Sequence, residues 1–165
     1  MLDQSPVRRV SECDEVEEGN VARVYVYETE AVWAGERRLT VHTSGARALE
    51  VTSPPEFHGE EGEWTPETLF VASVSACFAL TFLAIAQFSK LPIVSLRVSA
   101  QGKLEKVEGV GYQITEVLIK PVLTIPSEFD RERAERLLEK AERNCFISNS
   151  IKAAVRLEPE VAVSA

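Results

Sequence analysis

The chain has 165 residues, a net charge of −8 and three cysteines. Its length is enough for one domain with a real hydrophobic core, and its negative balance argues against nonspecific binding to DNA or RNA, which needs a basic surface. Three irregularly spaced cysteines are too few for a disulfide-stapled secreted scaffold, so we expect a reducing, cytoplasmic setting.

The first twenty residues differ from the rest of the chain. Residues 1–20 are acidic and have no apolar stretch of the signal-peptide kind, so we predict an acidic N-terminal segment followed by a single domain over residues 21–165. The segment contains Cys13, to which we assign no role because the surrounding acidic residues disfavour a thiolate.

Three strands are predicted after this segment. The residues VARVYVYE, from Val21, are β-branched and aromatic, which is typical of a strand. The segments RRLTVHT and ALEVTS then lie on either side of a turn at Ser44 and Gly45. We therefore predict an antiparallel meander of three strands.

A loop of more than ten residues, PPEFHGEEGEW, leads into the longest apolar run of the chain. Thr65 fits the N-cap of a helix and Pro66 its first turn, and Glu67 would face the positive end of the helix dipole. The run from Leu69 to Phe88 has no charge and is long enough to span a membrane. Its internal polar residues and the absence of flanking basic clusters favour the buried central helix of a globular protein instead.

The rest of the chain predicts more strands and one helix. After Pro92, apolar and polar residues alternate, and a glycine-containing turn then leads into the segment YQITEVLIKPVLTIP. This pattern predicts a hairpin of two long strands. An amphipathic helix is predicted from Ser127 to Asn144, with Ser127 and Asp130 resembling a capping box, and a final strand around VRLEPEVAV. Helices that interrupt hairpin-forming strands indicate an α+β fold.

Two cysteines stand in settings that suggest chemistry. Cys77 lies in the middle of the apolar helix, where a free cysteine often serves as a small hydrophobic residue. Cys145 follows the charged helix at a polar break, where the start of a short helix would lower the thiol pKa. The sequence has no spacing typical of a zinc site, no phosphate-binding glycine loop and no nucleophile elbow. The pair therefore indicates thiol redox chemistry, provided that the two residues meet in space.

The segment TPETLFVASVSACF, Thr65 to Phe78, resembles the signature of the OsmC/Ohr family, the osmotically inducible and organic-hydroperoxide-resistance proteins. That signature opens a long apolar helix with Pro-Glu and places Ala-Cys-Phe several turns later. A second family motif, a cysteine followed by a short polar helix, matches Asn144 to Ser150. The resemblance extends over Val21 to Val163. It implies the OsmC-like fold, an antiparallel sheet with a long buried central helix in an intertwined homodimer.

The resemblance also implies a thiol-dependent peroxidase, a hydroperoxide reductase for organic hydroperoxides or hydrogen peroxide. Cys77 would be the thiolate that becomes a sulfenic acid, and Cys145 would resolve it as a disulfide. An external dithiol, with lipoyl-type groups among the candidates, would reduce that disulfide. Glu67 would orient an arginine that stabilises the thiolate. No cofactor, metal, nucleic acid or membrane is implied.

The supporting arginine has three candidates in the sequence. We favour Arg38, with Arg37 and Arg47 as alternatives. Strand alternation places Arg37 and Arg38 on opposite faces of the strand, so their side chains point in opposite directions. All three also fit the role of ordinary solvated strand residues. The loop Pro54–Gly59, where another branch of the family carries the arginine, has none.

The distance between Glu67 and Cys77 has a structural consequence. Ten helical residues correspond to about 15 Å along the axis, so the two can share a site only if Glu67 comes from a second subunit or an arginine bridges the gap. The first case predicts a symmetric dimer with antiparallel central helices. Glu67 also has a purely structural interpretation, as a first-turn carboxylate that stabilises the helix.

One departure from the family pattern concerns the residue after the second cysteine. Many relatives have proline there, whereas this chain has Phe146, which separates it from the best-characterised peroxidase branches. The alternative function is a non-catalytic OsmC-like protein that binds a small apolar ligand or uses its thiols as a redox switch. A third interpretation is a structural domain with incidental buried cysteines.

Overall fold

The computed structural model describes residues 23–164. The acidic segment 1–20, with Cys13, lies outside the described residues, as does the beginning of the first predicted strand. The chain divides into two compact units, one ending at Trp64 and the other beginning at Thr65.

The first unit is a small antiparallel sheet in the order β1-β2-β3, followed by a short 3-10 turn. Its strands are β1 (Glu30–Gly35), β2 (Arg38–His42) and β3 (Leu49–Thr52). A three-stranded antiparallel meander is present, but the predicted first strand is wrong: the described part of VARVYVYE, residues 23–28, forms no strand, and β1 consists of the later residues Glu30–Gly35. Strand β2 has five residues, and the pairing of Glu30 with His42 already uses the last of them. The residues before Glu30 therefore find no partner on β2, and residues 23–29 are exposed without regular structure.

The second unit combines a helix pair with a four-stranded sheet. Its elements in chain order are α1 (Pro66–Phe88), β4 (Ser95–Val107), β5 (Gly111–Ile125), α2 (Arg131–Arg143), β6 (Ala154–Leu157) and β7 (Glu160–Val163). Strands β4 and β5 form the predicted long antiparallel hairpin. The α+β class is thus confirmed, with two sheets and two helices among residues 23–164.

The last predicted strand is in fact two strands, and both run parallel to β5. Strand β6 pairs with the middle of β5 and β7 with its end. Pro159 separates them, and proline has no N–H to continue a ladder of hydrogen bonds. The sheet is therefore mixed rather than purely antiparallel.

The two helix starts differ from each other. At α1 the Thr65 hydroxyl accepts a hydrogen bond from the Thr68 N–H (3.2 Å), and the Thr65 N–H donates to the Thr68 hydroxyl (2.9 Å), so the predicted N-cap is confirmed. The predicted capping box of Ser127 and Asp130 is wrong. Ser127 caps a 3-10 turn that precedes α2, and Asp130 makes no side-chain capping bond.

The core of the second unit lies between one face of α1, the sheet and α2. Its fully buried side chains on α1 recur every four residues, at Val74, Phe78, Phe82 and Ala86. They pack with the inward residues of β5 and α2 in one hydrophobic cluster. A helix buried on every face was expected, yet only this face is buried within the described chain.

The opposite face of α1 is exposed and largely apolar. Its exposed residues recur at helical spacing: Ser73, Ala76, Leu80, Leu83, Ala84 and Gln87. By length and composition α1 is also apolar enough to cross a membrane, a test that the core helix of a soluble protein passes as well. The charge-free run by itself therefore does not distinguish the two.

Candidate active site

The structure brings Cys77 and Cys145 together although 68 positions separate them in the chain. Cys77 lies on α1, and Cys145 follows the end of α2, which packs against α1. The two thiols are close enough for each to shift the pKa of the other. Both cysteines are free; Cys145 is fully buried and Cys77 is partly buried.

Several donors surround the sulfur of Cys77. Burial raises the pKa of the Cys77 thiol, but hydrogen bonds from the Ile147 N–H, the Cys145 thiol, the Phe146 N–H and the Thr81 hydroxyl outweigh it. The net effect is a pKa below the ordinary value for cysteine. The site therefore favours a thiolate at Cys77, even though that residue sits in an apolar helix.

Cys145 has the opposite tendency. Burial raises the pKa of its thiol, the neighbouring Cys77 raises it further, and the polar groups of Ser148 lower it. The buried Ser148 hydroxyl oxygen itself makes no hydrogen bond within the described residues. The predicted lowering of the Cys145 pKa by the start of a short helix is therefore wrong, and no helix begins at Cys145, since the 3-10 turn begins only at Ser148. The arrangement therefore places a thiol with a lowered pKa, Cys77, next to one with a raised pKa, Cys145.

Glu67 lies in the first turn of α1, ten residues before Cys77, and lines a cavity of about 400 Å³. Its Oε2 atom is buried and has no hydrogen-bond partner among the described residues. The lining is mostly apolar and consists of Glu67, Thr68, Val71, Ala72, Ser75, Ala100, Gly102, Leu104 and Ile114. Cys77 is not part of it. Because α1 is unbroken between Glu67 and Cys77, about 15 Å of helix separates them, and one chain does not bring them together.

The arginine candidates lie in the first unit. The guanidinium of Arg38 binds both carboxylate oxygens of Glu60, with Nε 2.8 Å from Oε1, and this contact raises the pKa of Arg38. Arg37 lies in the turn before β2 and donates to the Phe57 carbonyl at 2.5 Å. Arg47 lies in the exposed β2–β3 loop. Arg37 and Arg38 thus both hold the loop that precedes α1.

That loop is held closely against its own unit. A Cβ atom at Gly59 would lie 1.5 Å from the Ser53 carbonyl oxygen, so only glycine fits there. Together with Arg38 and Glu60, the loop lines a small polar cavity of about 230 Å³. Glu60, one of the acidic residues of this loop, is therefore paired with Arg38 on β2.

Sequence reasoning did not identify four groups around the thiols. Thr81 stands four residues after Cys77 on the same helix face, so its spacing contained a usable signal. The sequence contains no such signal for the N–H groups of Phe146 and Ile147 or for the Ser148 hydroxyl, because the direction of each group depends on the path of the loop. No group of three His, Cys, Asp or Glu side chains within residues 23–164 is placed to hold a metal ion.

A mixed sheet, a long apolar helix and two neighbouring free cysteines, one on that helix and one just after α2, characterise this α+β protein. The family model described as OsmC-like protein matches residues 58–160, and the chain belongs to this family. The matched region contains Glu67, Cys77 and Cys145, whereas Arg38 precedes it. The resemblance predicted from the two cysteine motifs is confirmed.

Individual relatives agree with this membership. An organic hydroperoxide resistance protein-like 2 from Staphylococcus saprophyticus is 27% identical over 141 residues, 84% of this chain and 97% of the relative. An OsmC-like protein of unknown function from Vibrio cholerae has a TM-score of 0.75 and 25% identity, covering 82% of this chain and 99% of its own. An organic hydroperoxide resistance protein OsmC from Legionella pneumophila has a TM-score of 0.66 and 26% identity, covering 86% and 99%.

Proposed function

We propose that this chain is a cysteine-based thiol peroxidase that reduces organic hydroperoxides or hydrogen peroxide. The observation that carries the proposal is the contact between two free thiols whose pKa values are shifted in opposite directions. Relatives named as organic hydroperoxide resistance proteins support a role in peroxide resistance.

The proposed reaction has three steps. The Cys77 thiolate attacks the O–O bond, takes one oxygen as a sulfenic acid and releases the other as an alcohol, or as water from hydrogen peroxide, after protonation. The Cys145 thiol then attacks the oxidised sulfur, which forms the Cys77–Cys145 disulfide and releases water. An external dithiol reduces this disulfide by exchange and is itself oxidised to a disulfide. Because the two thiols are already in contact, resolution needs little movement.

We assign Arg38 and Glu67 supporting roles within this proposal. A buried carboxylate oxygen without a partner, as on Glu67, is costly and suits an incoming cation. Glu60 occupies Nε and Nη2 of Arg38, and a guanidinium carries further donors on its other terminal nitrogen. Arg38 would stabilise the thiolate, with Arg37 and Arg47 as alternatives, and Glu67 would come from a second subunit.

The proposal includes a homodimer acting in the cytoplasm with a dithiol reductant, a lipoyl-type group being one candidate. The exposed apolar face of α1 supports the dimer, because a second copy would cover it. The apolar setting of Cys77, among the residues packed against the core cluster, favours hydrophobic alkyl hydroperoxides over very polar ones.

The test is stopped-flow consumption of an alkyl hydroperoxide in the presence of a dithiol reductant. Cys77→Ser should abolish turnover, while Cys145→Ser should accumulate a Cys77 sulfenic acid that a trapping diketone labels. One equivalent of peroxide should give an intramolecular Cys77–Cys145 disulfide by mass spectrometry. Full peroxidase activity in the Cys77→Ser protein would refute the proposal.

A second candidate function, binding of a small apolar ligand, draws on the cavity beside Glu67. That cavity is mostly apolar with one carboxylate, a pattern common in small-molecule sites. A binder, or a thiol redox switch, would show no catalytic turnover in the same assay. For a switch, one round of disulfide formation would occur without sustained peroxide consumption.

A further inference from the structure

Residues 23–29 form an arm without regular structure that leads into β1. The side chains of residues 24–27 are between 69% and 91% exposed. No backbone–backbone hydrogen bond joins the arm to another segment of the described chain, and the Thr43 hydroxyl holds its base by donating to the Glu28 carbonyl at 3.0 Å. Because β-branched and aromatic residues favour strands, the arm has the composition of a strand and lacks a neighbouring strand.

Strand β4 has the complementary deficiency. Within residues 23–164 it pairs with β5 alone, so the N–H and C=O groups on its other edge face no strand. The first part of that edge, residues 95–101, contains no proline, glycine or bulge, and the register shift comes only at Lys103 and Leu104. Soluble proteins rarely leave a regular edge of this length uncovered. The arm and residues 95–101 also match in length, with seven residues each.

Exposed, unpaired charges of opposite sign lie on the two segments. Arg97 is exposed on β4, and Glu28 is exposed in the arm. Neither side chain takes part in an ion pair among residues 23–164. The other charge of the arm, Arg23, lies at its opposite end. Opposite charges directly across two strands attract and like charges repel, so the arm and the edge are complementary in charge.

Side-chain alternation agrees with this charge pair. Val98 and Ala100 of β4 are partly buried and packed against the core cluster, so they define the inner face of the edge. Successive strand residues alternate between faces, so Tyr25 and Tyr27 share one face and Glu28 lies on the other. The tyrosines belong on the inner face, since the opposite choice would bury a carboxylate without a partner. An antiparallel register that sets Glu28 across from the exposed arginine of β4 also sets Tyr27 across from Val98 and Tyr25 across from Ala100.

We propose that the arm of one copy adds to the free edge of β4 in a second copy as an antiparallel strand, with Glu28 across from Arg97. In a two-fold dimer each copy gives one arm and receives one, which closes the assembly. The arm does not occupy β4 of its own chain, where β5 is the only neighbour among the described residues. Residues 1–20 are a poorer occupant, because they are acidic and contain few strand-forming residues. This contact is separate from the apolar face of α1 and does not rest on the peroxidase chemistry.

The first experiment exchanges the charges and measures the dissociation constant of the dimer by sedimentation. Glu28→Arg and Arg97→Glu should each raise it about tenfold, because like charges then face each other twice in the symmetric dimer. The double variant restores opposite charges and should return to within about twofold of the parent. Glu108→Arg, which changes an exposed glutamate in the β4–β5 turn, is the control and should leave the constant unchanged. An unchanged constant in either single variant, an equal rise in the control or a monomeric parent would overturn the proposal.

Mixing the two single variants tests whether the contact joins different chains. In a mixed dimer the altered arm of the Glu28→Arg chain meets the altered edge of the Arg97→Glu chain, and the two unaltered segments meet each other. Opposite charges then face each other at both contacts, so the mixture should regain the dissociation constant of the parent. No gain on mixing would show that the arm does not pair with the other chain, which would overturn the proposal.

Hydrogen exchange tests the pairing without any substitution. The backbone amides of residues 24–28 should exchange at least about tenfold more slowly in the dimer than after dilution to the monomer, because strand pairing protects them. Residues 95–101 should gain protection over the same range of protein concentration. Arm amides that exchange in the dimer as fast as in an unstructured peptide would contradict the proposal. Since none of these experiments uses peroxide, failure of the peroxidase function and failure of this inference give separate results.

Discussion

The contact between Cys77 and Cys145 acts on the two thiols in opposite ways. Cys145 donates its proton toward the sulfur of Cys77, so the shared hydrogen bond lowers the pKa of Cys77 and raises that of Cys145. Backbone donors divide in the same sense, with two N–H groups on Cys77 and one on Cys145. This contact therefore makes Cys77 the more acidic thiol of the pair and Cys145 the less acidic one.

This asymmetry predicts opposite effects of pH on stability. A lowered pKa means that Cys77 contributes stability above the unfolded value, which is lost as pH falls through the folded value. A raised pKa means that Cys145 contributes stability below the unfolded value, which is lost as pH rises through the folded value. Each thiol can be studied alone: in Cys145→Ser the serine hydroxyl can still donate to Cys77, and in Cys77→Ser burial, the largest cause, still raises the pKa of Cys145.

The measurement is denaturant unfolding from neutral to alkaline pH, relative to the Cys77→Ser, Cys145→Ser double variant. The free energy of unfolding of Cys145→Ser should rise with pH, and that of Cys77→Ser should fall, across the interval between each folded pKa and the ordinary cysteine value. Two slopes of the same sign would contradict the assigned directions.

How far the sequence identifies the site also depends on the residue. Cys77, Cys145 and Glu67 were identified from motifs, because each stands at a fixed position in a segment with a clear pattern. Glu60 was not identified, since nothing in GEEGEW distinguishes it from its acidic neighbours before β2 is placed beside the loop. The donors from Phe146 and Ile147 are peptide groups, which every residue except proline carries, so no residue type signals them.

At the scale of elements, local chemistry was predictable and strand partners were not. The cap at Thr65 and the hairpin of β4 and β5 follow from short-range signals. The parallel pairing of β6 and β7 with β5 depends on contacts between distant segments. The first strand was predicted in the wrong segment, because the five residues of β2 pair with Glu30–Gly35 and leave residues 23–28 without a partner on β2. The second helix begins at Arg131 instead of Ser127, because a 3-10 turn over Glu128–Asp130 comes first.

The cap of α1 gives a prediction at this scale. Thr65→Ala removes the hydroxyl that accepts from the Thr68 N–H and should lower the free energy of unfolding by about 1 kcal/mol. Thr65→Ser keeps the hydroxyl and is the control, which should recover most of the loss. Thermal or denaturant unfolding measures both variants. Equal destabilisation by alanine and serine would show that the buried methyl group, rather than the cap, is what matters.

At the scale of the whole molecule, the feature that needs an explanation is the exposed apolar outer face of α1. The helix is apolar on all sides, yet only the stripe of Val74, Phe78, Phe82 and Ala86 is buried. Leu80 is 67% exposed and Leu83 43%, on the face opposite to the core. Soluble monomers rarely leave a continuous apolar stripe of this length in water. In a symmetric dimer formed through this stripe, with the two α1 helices antiparallel, Glu67 of one copy would lie toward the Cys77 end of the other.

A dimer through this face predicts a specific sensitivity to charge. The unaltered protein should sediment with twice the 18.3 kDa mass of one chain. Leu80→Glu should shift it toward the monomer and reduce peroxidase activity together with the dimer fraction, because the supporting carboxylate would no longer reach Cys77. Phe129→Glu is the matched control, since Phe129 is 94% exposed but lies in the turn before α2. Its mass and activity should stay those of the parent. A monomeric parent, or a dimer that Leu80→Glu leaves intact, would rule out this face as the interface and Glu67 as a residue supplied across it.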